Sequence, residues 1–216
     1  MHIAIPPKEP GWLQPFLSQC HRRHYAKNSE VVHQGDPADS LYYLMEGSVS
    51  VCMEDADGRE LILCYLNQGE FVGEMGLFMP EPRRSVKVRT RTACQVAEIS
   101  YRRLKQAFEQ ELAAYAKDIL YAIGRQLTQR LQNTSNKVGH LAFLDVTGRI
   151  AGTLIDLCEQ PDAMTHPDGM QIRITRQEIG RIVGCSREMA GRVLKNLEDQ
   201  GLIRVKGKTI VVLGVR

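Results

Sequence analysis

The 216 residues have an ordinary globular composition, 43% hydrophobic and 25% charged, which excludes a disordered, collagenous or disulfide-scaffold chain. No apolar run reaches the roughly 20 residues of a membrane span, and residues 1–11 lack a signal-peptide core, so a cytoplasmic, non-membrane protein is expected. The net charge of +3 is uneven: residues 1–145 balance at 17 basic and 17 acidic, whereas residues 173–216 hold 10 basic against 4 acidic, pointing the C-terminal end toward a polyanion.

Three prolines by position 10 predict a loose start, and Trp12, Leu13, Phe16 and Leu17 predict a short helix packed on the next domain. His21-Arg22-Arg23-His24 reads as a basic surface, because two histidines without a third ligand do not make a metal site. The six cysteines are scattered, with no Cys-x-x-Cys pair, and read as reduced thiols. From Glu30 to Ser100 the pattern is β. Glycines 35, 47, 58 and 69 fall 12, 11 and 11 residues apart, with short strand-like runs between them and a hairpin turn at Asp57-Gly58. Short strands at regular spacing predict a small β-roll.

One stretch interrupts that pattern: Gly69-Glu70-Phe71-Val72-Gly73-Glu74-Met75-Gly76-Leu77-Phe78, followed by Met79-Pro80-Glu81-Pro82-Arg83-Arg84-Ser85. Its glycines permit positive φ and close backbone approach, as an anion-cradling turn requires. Residues 73–76 read as one helical turn with free N–H groups. Arg84 supplies a forked cation and Ser85 a hydroxyl. Glu74 beside an anion needs another task, and accepting from sugar hydroxyls is the natural one. These residues resemble the phosphate-binding cassette of cyclic-nucleotide-binding domains. Over roughly residues 16–216 the chain is similar to the catabolite activator (cAMP receptor protein) family. The resemblance implies cAMP as the ligand, with Gly73 and Met75 at the turn, Glu74 on the ribose 2′-hydroxyl, and Arg84 and Ser85 on the cyclic phosphate. Val86 departs from the family's usual alanine. Cyclic di-GMP, to which some relatives respond, is the alternative ligand.

Residues 101–142 switch to helix. Leu120, Ile123, Leu127, Leu131, Val138 and Leu141 recur at spacings of three, four or seven (with one gap of seven spanning two hydroxyls), which predicts a two-helix seam and a homodimer. Those hydroxyls, Thr134 and Ser135, interrupt the stripe. They either fix register or, as the resemblance implies, meet the adenine edge in a pocket to which both subunits contribute. Residues 143–148 read as a hinge and 149–160 as a helix. Residues 163–169 read as an exposed turn whose Thr165, His166 and Gly169 touch RNA polymerase in the family.

Thr175-Arg176-Gln177-Glu178 is a capping box, and Ser186 can cap a second helix. On that helix Ala190, Val193, Leu194 and Leu197 share one side, while Arg187, Glu188, Gly191, Arg192 and Lys195 share the other. This is a helix-turn-helix whose second helix suits the major groove. Arginine forks match guanine, and a carboxylate accepts from cytosine N4. Arg176, Lys195, Lys206 and Lys208 suit phosphates, and residues 202–213 read as a β-wing. The fold expected is α+β: an N-terminal β-roll (1–110), a dimerisation helix with hinge (111–145) and a C-terminal winged helix-turn-helix (146–216). The function expected is a cyclic-nucleotide-responsive, dimeric regulator that reads palindromic double-stranded DNA and contacts RNA polymerase. A ligand-gated interaction module without DNA is the competing reading. An enzyme would need a clustered metal set or a Cys–His dyad, which the sequence does not offer.

Overall fold

The computed structural model describes residues 9–79 and 83–215; the expected loose start at residues 1–8 and the Pro80-Glu81-Pro82 part of the cassette lie outside the described residues. By contacts the chain divides into two units. The first holds the described residues up to Val51 together with Tyr65–Leu131, and the second holds Cys52–Cys64 and the described residues from Gln132 on.

The first unit begins with α1 (Leu13–Ser18), which lays Leu13, Phe16 and Leu17 on the core as the apolar spacing predicts. Eight strands follow in the chain: β1 (His21–Tyr25), β2 (Glu30–Val32), β3 (Ser40–Glu46), β4 (Ser48–Glu54), β5 (Glu60–Asn67), β6 (Phe71–Val72), β7 (Lys87–Thr90) and β8 (Cys94–Ser100), of which residues 52–54 of β4 and 60–64 of β5 are counted with the second unit. They form two four-stranded sheets, ordered β1-β8-β3-β6 and β2-β7-β4-β5. The basic segment at 21–24 is itself a strand, exposed at the edge of its sheet beside β8. Trp12, Phe16, Tyr43 and Phe71 pack with ring centroids from 5.0 to 6.2 Å apart. Such pairs add about 0.5–1.5 kcal/mol each beyond area burial.

Three helices accompany the strands: α2 (Met75–Phe78) between β6 and β7, then α3 (Tyr101–Glu109) and α4 (Ala116–Phe143) after β8. On α4, Ile119 and Ile123 are fully buried in the first unit's core and Leu127 packs against it. Leu131 and Val138 remain 69% and 60% exposed, with Leu120 and Leu141 also exposed. The expected seam therefore mixes two faces, because one apolar helix face packs on the chain's own β-roll.

The second unit contains α5 (Val146–Cys158), β9 (Met164–His166), β10 (Gly169–Arg173), α6 (Arg176–Val183), α7 (Arg187–Asp199), β11 (Ile203–Lys206) and β12 (Thr209–Leu213). Its sheet runs β11-β12-β10-β9. Ile150, Leu154, Ile172, Ile179, Leu194 and Ile210 are buried there. Helix α5 starts three residues before the expected 149, because Asp145 Oδ1 accepts from the Gly148 N–H at 2.8 Å and caps it. The expected turn at 163–169 is instead a hairpin, with β9 paired to β10. Within this unit Arg181 pairs with Glu60 at 2.9 Å, and Lys137 donates to the Leu63 carbonyl at 2.5 Å.

All six cysteines are free thiols; Cys52, Cys94 and Cys158 are buried. Among the described residues no helix is long and apolar enough to cross a membrane. Among them, too, no group of three His, Cys, Asp or Glu residues could hold a metal ion.

Candidate ligand site and DNA-reading surface

The cassette is built by a turn that only glycine makes cheaply. Gly73 sits at φ +83°, and a Cβ there would meet Arg84 Nη1 at 2.6 Å and the Ser40 carbonyl at 2.9 Å. The helical turn after it is α2, which begins at Met75 with Glu74 at its N-cap position, two residues later than the sequence suggests. Gly76 contributes through close approach: a Cβ there would meet the Tyr101 hydroxyl at 2.6 Å.

Arg84 is only 8% exposed. Its Nη2 donates to the Ser40 carbonyl at 2.5 Å and its Nη1 to the Tyr101 hydroxyl at 3.1 Å. The guanidinium also lies near the rings of Tyr42 and Tyr101, 5.7 and 5.9 Å from their centroids. Burial pushes the Tyr101 hydroxyl above its ordinary pKa, so it stays protonated and donates to the Gly73 carbonyl at 2.5 Å. The backbone around Arg84 is pinned as well: its N–H donates to the Asp36 carbonyl and its carbonyl accepts from Gly35, each at 2.8 Å. A guanidinium has five donors, so these two side-chain bonds leave others to meet an anion. Ser85 beside it is exposed, as is Met75.

Glu74 is 6% exposed, and its Oε1 pairs with Arg130 Nη1 at 2.6 Å. Arg130 Nη2 donates to the Phe71 carbonyl at 2.5 Å and lies 3.5 Å from Glu70 Oε1. One turn earlier, Gln126 accepts from the Phe71 N–H at 2.8 Å and donates to the Gly69 carbonyl at 3.0 Å. Helix α4 thus grips the cassette with two polar side chains four residues apart. The sequence reading missed Gln126, Arg130, Tyr101 and Ser40. For the first two a signal existed, because Ile119, Ile123, Gln126 and Arg130 share one helix face by spacing.

Removing one partner of a buried ion pair costs about 3–5 kcal/mol, since the other charge is left uncompensated. The Arg130 side chain is only partly buried, which places the pair toward the lower figure. Arg130→Met should therefore lower the melting temperature by roughly 6–12 °C for a chain of this size. Adding Glu74→Gln should restore a large part of that loss. Thermal denaturation of the two variants checks this, and equal melting of Arg130→Met and the parent would refute it.

Thr134 and Ser135 are exposed side chains on α4, within the second unit. At the other end of that unit the two expected caps are in place. Thr175 Oγ1 accepts from Glu178 N, and Ser186 Oγ from Met189 N, each at 3.1 Å. Helix α6 ends at Gly184 with φ +70°. On α7, Ala190, Val193, Leu194 and Leu197 are buried. The opposite face, with Arg176 from α6, forms one open groove lined by Arg176, Arg187, Glu188, Gly191, Arg192 and Lys195.

Glu188's own backbone N–H and the Ser186 hydroxyl hold its carboxyl below the usual range, so at neutral pH it is an acceptor only. Lys195 pairs with Asp199 at 2.8 Å. Exposed pairs of this kind are worth little and yield readily to a phosphate. Lys206 and Lys208 are exposed on the β11–β12 wing. Of the three residues expected at RNA polymerase, Thr165 is exposed and His166 half-buried, its Nδ1 accepting from Asp168 N at 3.2 Å. Gly169 is buried where β10 meets β12.

Comparison with known proteins agrees with both halves. The cyclic nucleotide-binding domain family matches residues 22–111, and the Crp-like helix-turn-helix domain family matches residues 148–215. The cAMP-activated global transcriptional regulator CRP of Salmonella typhimurium is 58% identical over 216 residues, covering all of both chains. Vfr of Pseudomonas aeruginosa, also named a cAMP-activated global transcriptional regulator, is 57% identical over 94% of each chain. The solved structure of CLP, a c-di-GMP responsive global regulator of Xanthomonas campestris, has a TM-score of 0.91 at 54% identity, covering 96% of this chain and all of that one. The chain therefore belongs to the catabolite activator (cAMP receptor protein) family and is a cyclic-nucleotide-responsive, DNA-binding transcription regulator, not an enzyme.

Proposed function

We propose that this protein is a cytoplasmic homodimer that binds cAMP in the cassette and then reads a palindromic operator, contacting RNA polymerase through Thr165 and His166. The observation that carries the ligand assignment is the buried guanidinium of Arg84 packed against the Gly73 turn, with the buried Glu74 next in sequence to that glycine. One cyclic phosphate takes one forked cation, with Ser85 adding a hydroxyl and Glu74 accepting from the ribose. Thr134 and Ser135 take the adenine edge. A second phosphate would call for a second cation, for which the exposed Arg83, holding the Gly35 carbonyl at 2.7 Å through one of its five donors, is the adjacent candidate. We keep the division expected from sequence: a ligand-sensing roll to residue 110, a dimerisation segment to 145 and a DNA-reading domain from 146. The ligand acts by favouring one of two arrangements, which is the limit of what binding can do.

Calorimetric titration of the pure protein with cAMP, cGMP and cyclic di-GMP tests the ligand. Tight one-per-chain binding of cAMP is expected. The likeness to the c-di-GMP responsive CLP structure supports a second reading, in which cyclic di-GMP binds and cAMP does not.

The DNA assignment separates base reading from phosphate contact. Glu188→Ala should cost roughly 1–3 kcal/mol of discrimination between operator and random DNA. Lys206→Ala should weaken both DNAs about equally and flatten the salt dependence by about one unit of slope. Fluorescence anisotropy across a salt series measures both. Unchanged sequence preference in Glu188→Ala would remove that residue from the base-reading set.

A further inference from the structure

The helix-turn-helix contains three glycines, and they are not equivalent. Gly180 is demanded by packing: a Cβ there would meet the Cys185 carbonyl oxygen, a backbone atom, at 2.6 Å. Gly184 is demanded by the backbone, since its φ of +70° is costly for any side chain. Gly191 is demanded by neither. It lies inside α7, where glycine is a poorer helix former than alanine. A Cβ there would find Arg176 Cδ at 3.5 Å and Nη1 at 3.6 Å, ordinary contact with a flexible side chain. Among the described residues, no neighbour requires the methyl to be missing.

Its position on the helix is the informative part. Gly191 follows Arg187 by four residues and Glu188 by three, and it precedes Arg192 by one and Lys195 by four. It is the centre of the exposed groove these side chains line. An α-helix with side chains is about 10–12 Å across, and the major groove is about 12 Å wide. A helix in that space has almost no clearance on the side facing the bases.

We propose that Gly191 is a clearance notch and a specificity-determining position: its bare backbone lets α7 approach the base edges closely enough for Arg187, Glu188 and Arg192 to bond them. A methyl group there projects about 1.5 Å. Displacing the helix outward by even about 1 Å carries a bond of about 2.9 Å beyond hydrogen-bonding range. Phosphate contacts made by long, flexible lysines follow such a shift more easily than bidentate base contacts do. The inference rests on α7 being the DNA-reading helix.

The test uses an operator selected from random-sequence DNA by the full-length parent protein, with cAMP and without any nucleotide. Gly191→Ala should melt at the parental temperature or about 2–4 °C above it. It should lose at least about tenfold in operator affinity while keeping random-DNA binding within about threefold. The same loss should persist when Gly191→Ala is placed in an Arg176→Ala background. Operator affinity within twofold of the parent would overturn the proposal, and so would a lower melting temperature, which would make the glycine a folding requirement. Loss that vanishes in the Arg176→Ala background would also overturn it, because the glycine would then be seating Arg176. A parent protein that selects no sequence at all is a separate result, which brings down the DNA-reading assignment of α7 itself.

Discussion

Arg84→Leu should lower affinity for the proposed ligand, cAMP, on the order of 10²–10⁴-fold in calorimetry, for two lost charge-assisted bonds of about 1.5–3 kcal/mol each. The same substitution leaves the Ser40 carbonyl without the donor it has at 2.5 Å. Because an unpaired buried carbonyl costs about 1–3 kcal/mol, a modest fall in melting temperature should accompany the loss. Arg84→Lys separates the two effects, since it keeps a cation and a donor but not the fork. It should melt close to the parent and recover part of the affinity. Parental affinity in Arg84→Leu would remove the cassette from the ligand site.

Paired aspartates at Leu131 and Val138 should convert the dimer to monomers. Residues 120, 124, 127, 131, 134, 138 and 141 alternate in steps of four and three, which is heptad spacing. Within that row Leu127 leans on its own roll, whereas Leu131 and Val138 are 69% and 60% exposed in the single chain. Charges at these two positions cost the isolated chain little. In a seam, each uncompensated buried charge costs about 3–5 kcal/mol, more than enough to dissociate a dimer at micromolar concentration. Sedimentation should show monomers with a parental melting profile at low concentration, together with greatly weakened operator binding. A variant that stays dimeric would move the interface to another face.

The cassette was legible in the sequence because its chemistry is local: glycines, a carboxylate and an arginine within a dozen or so residues. Its support was legible only in part: spacing puts Gln126 and Arg130 on the helix face of Ile119 and Ile123, but the groups they hold lie more than 50 residues away, and no spacing rule says which turn that face meets. The stripe on α4 reads as one face because apolar spacing alone does not say which neighbour covers it; Ile119 and Ile123 face the roll. Strand β1 escapes a sequence reading since His21, Arg22, Arg23 and His24 are all exposed, so an edge strand shows no alternation. The start of α5 is misplaced from sequence because a β-branched pair and Gly148 argue against helix, while one cap from Asp145 outweighs them. The helix-turn-helix is readable almost to the residue, since both caps and the turn glycine are encoded beside the helices they delimit.

The free thiols have a practical consequence. Burial pushes the Cys20 thiol up to about 12, and burial likewise raises Cys94 and Cys158. The reactive species of a cysteine is its thiolate, so in the folded chain these groups are poor nucleophiles at neutral pH. They become reactive when the structure around them opens. Cys20 and Cys94 belong to the first unit and Cys158 to the second. Alkylation rates at native cysteines thus give each unit its own clock for local opening, and no label or engineered site has to be introduced to read the two separately.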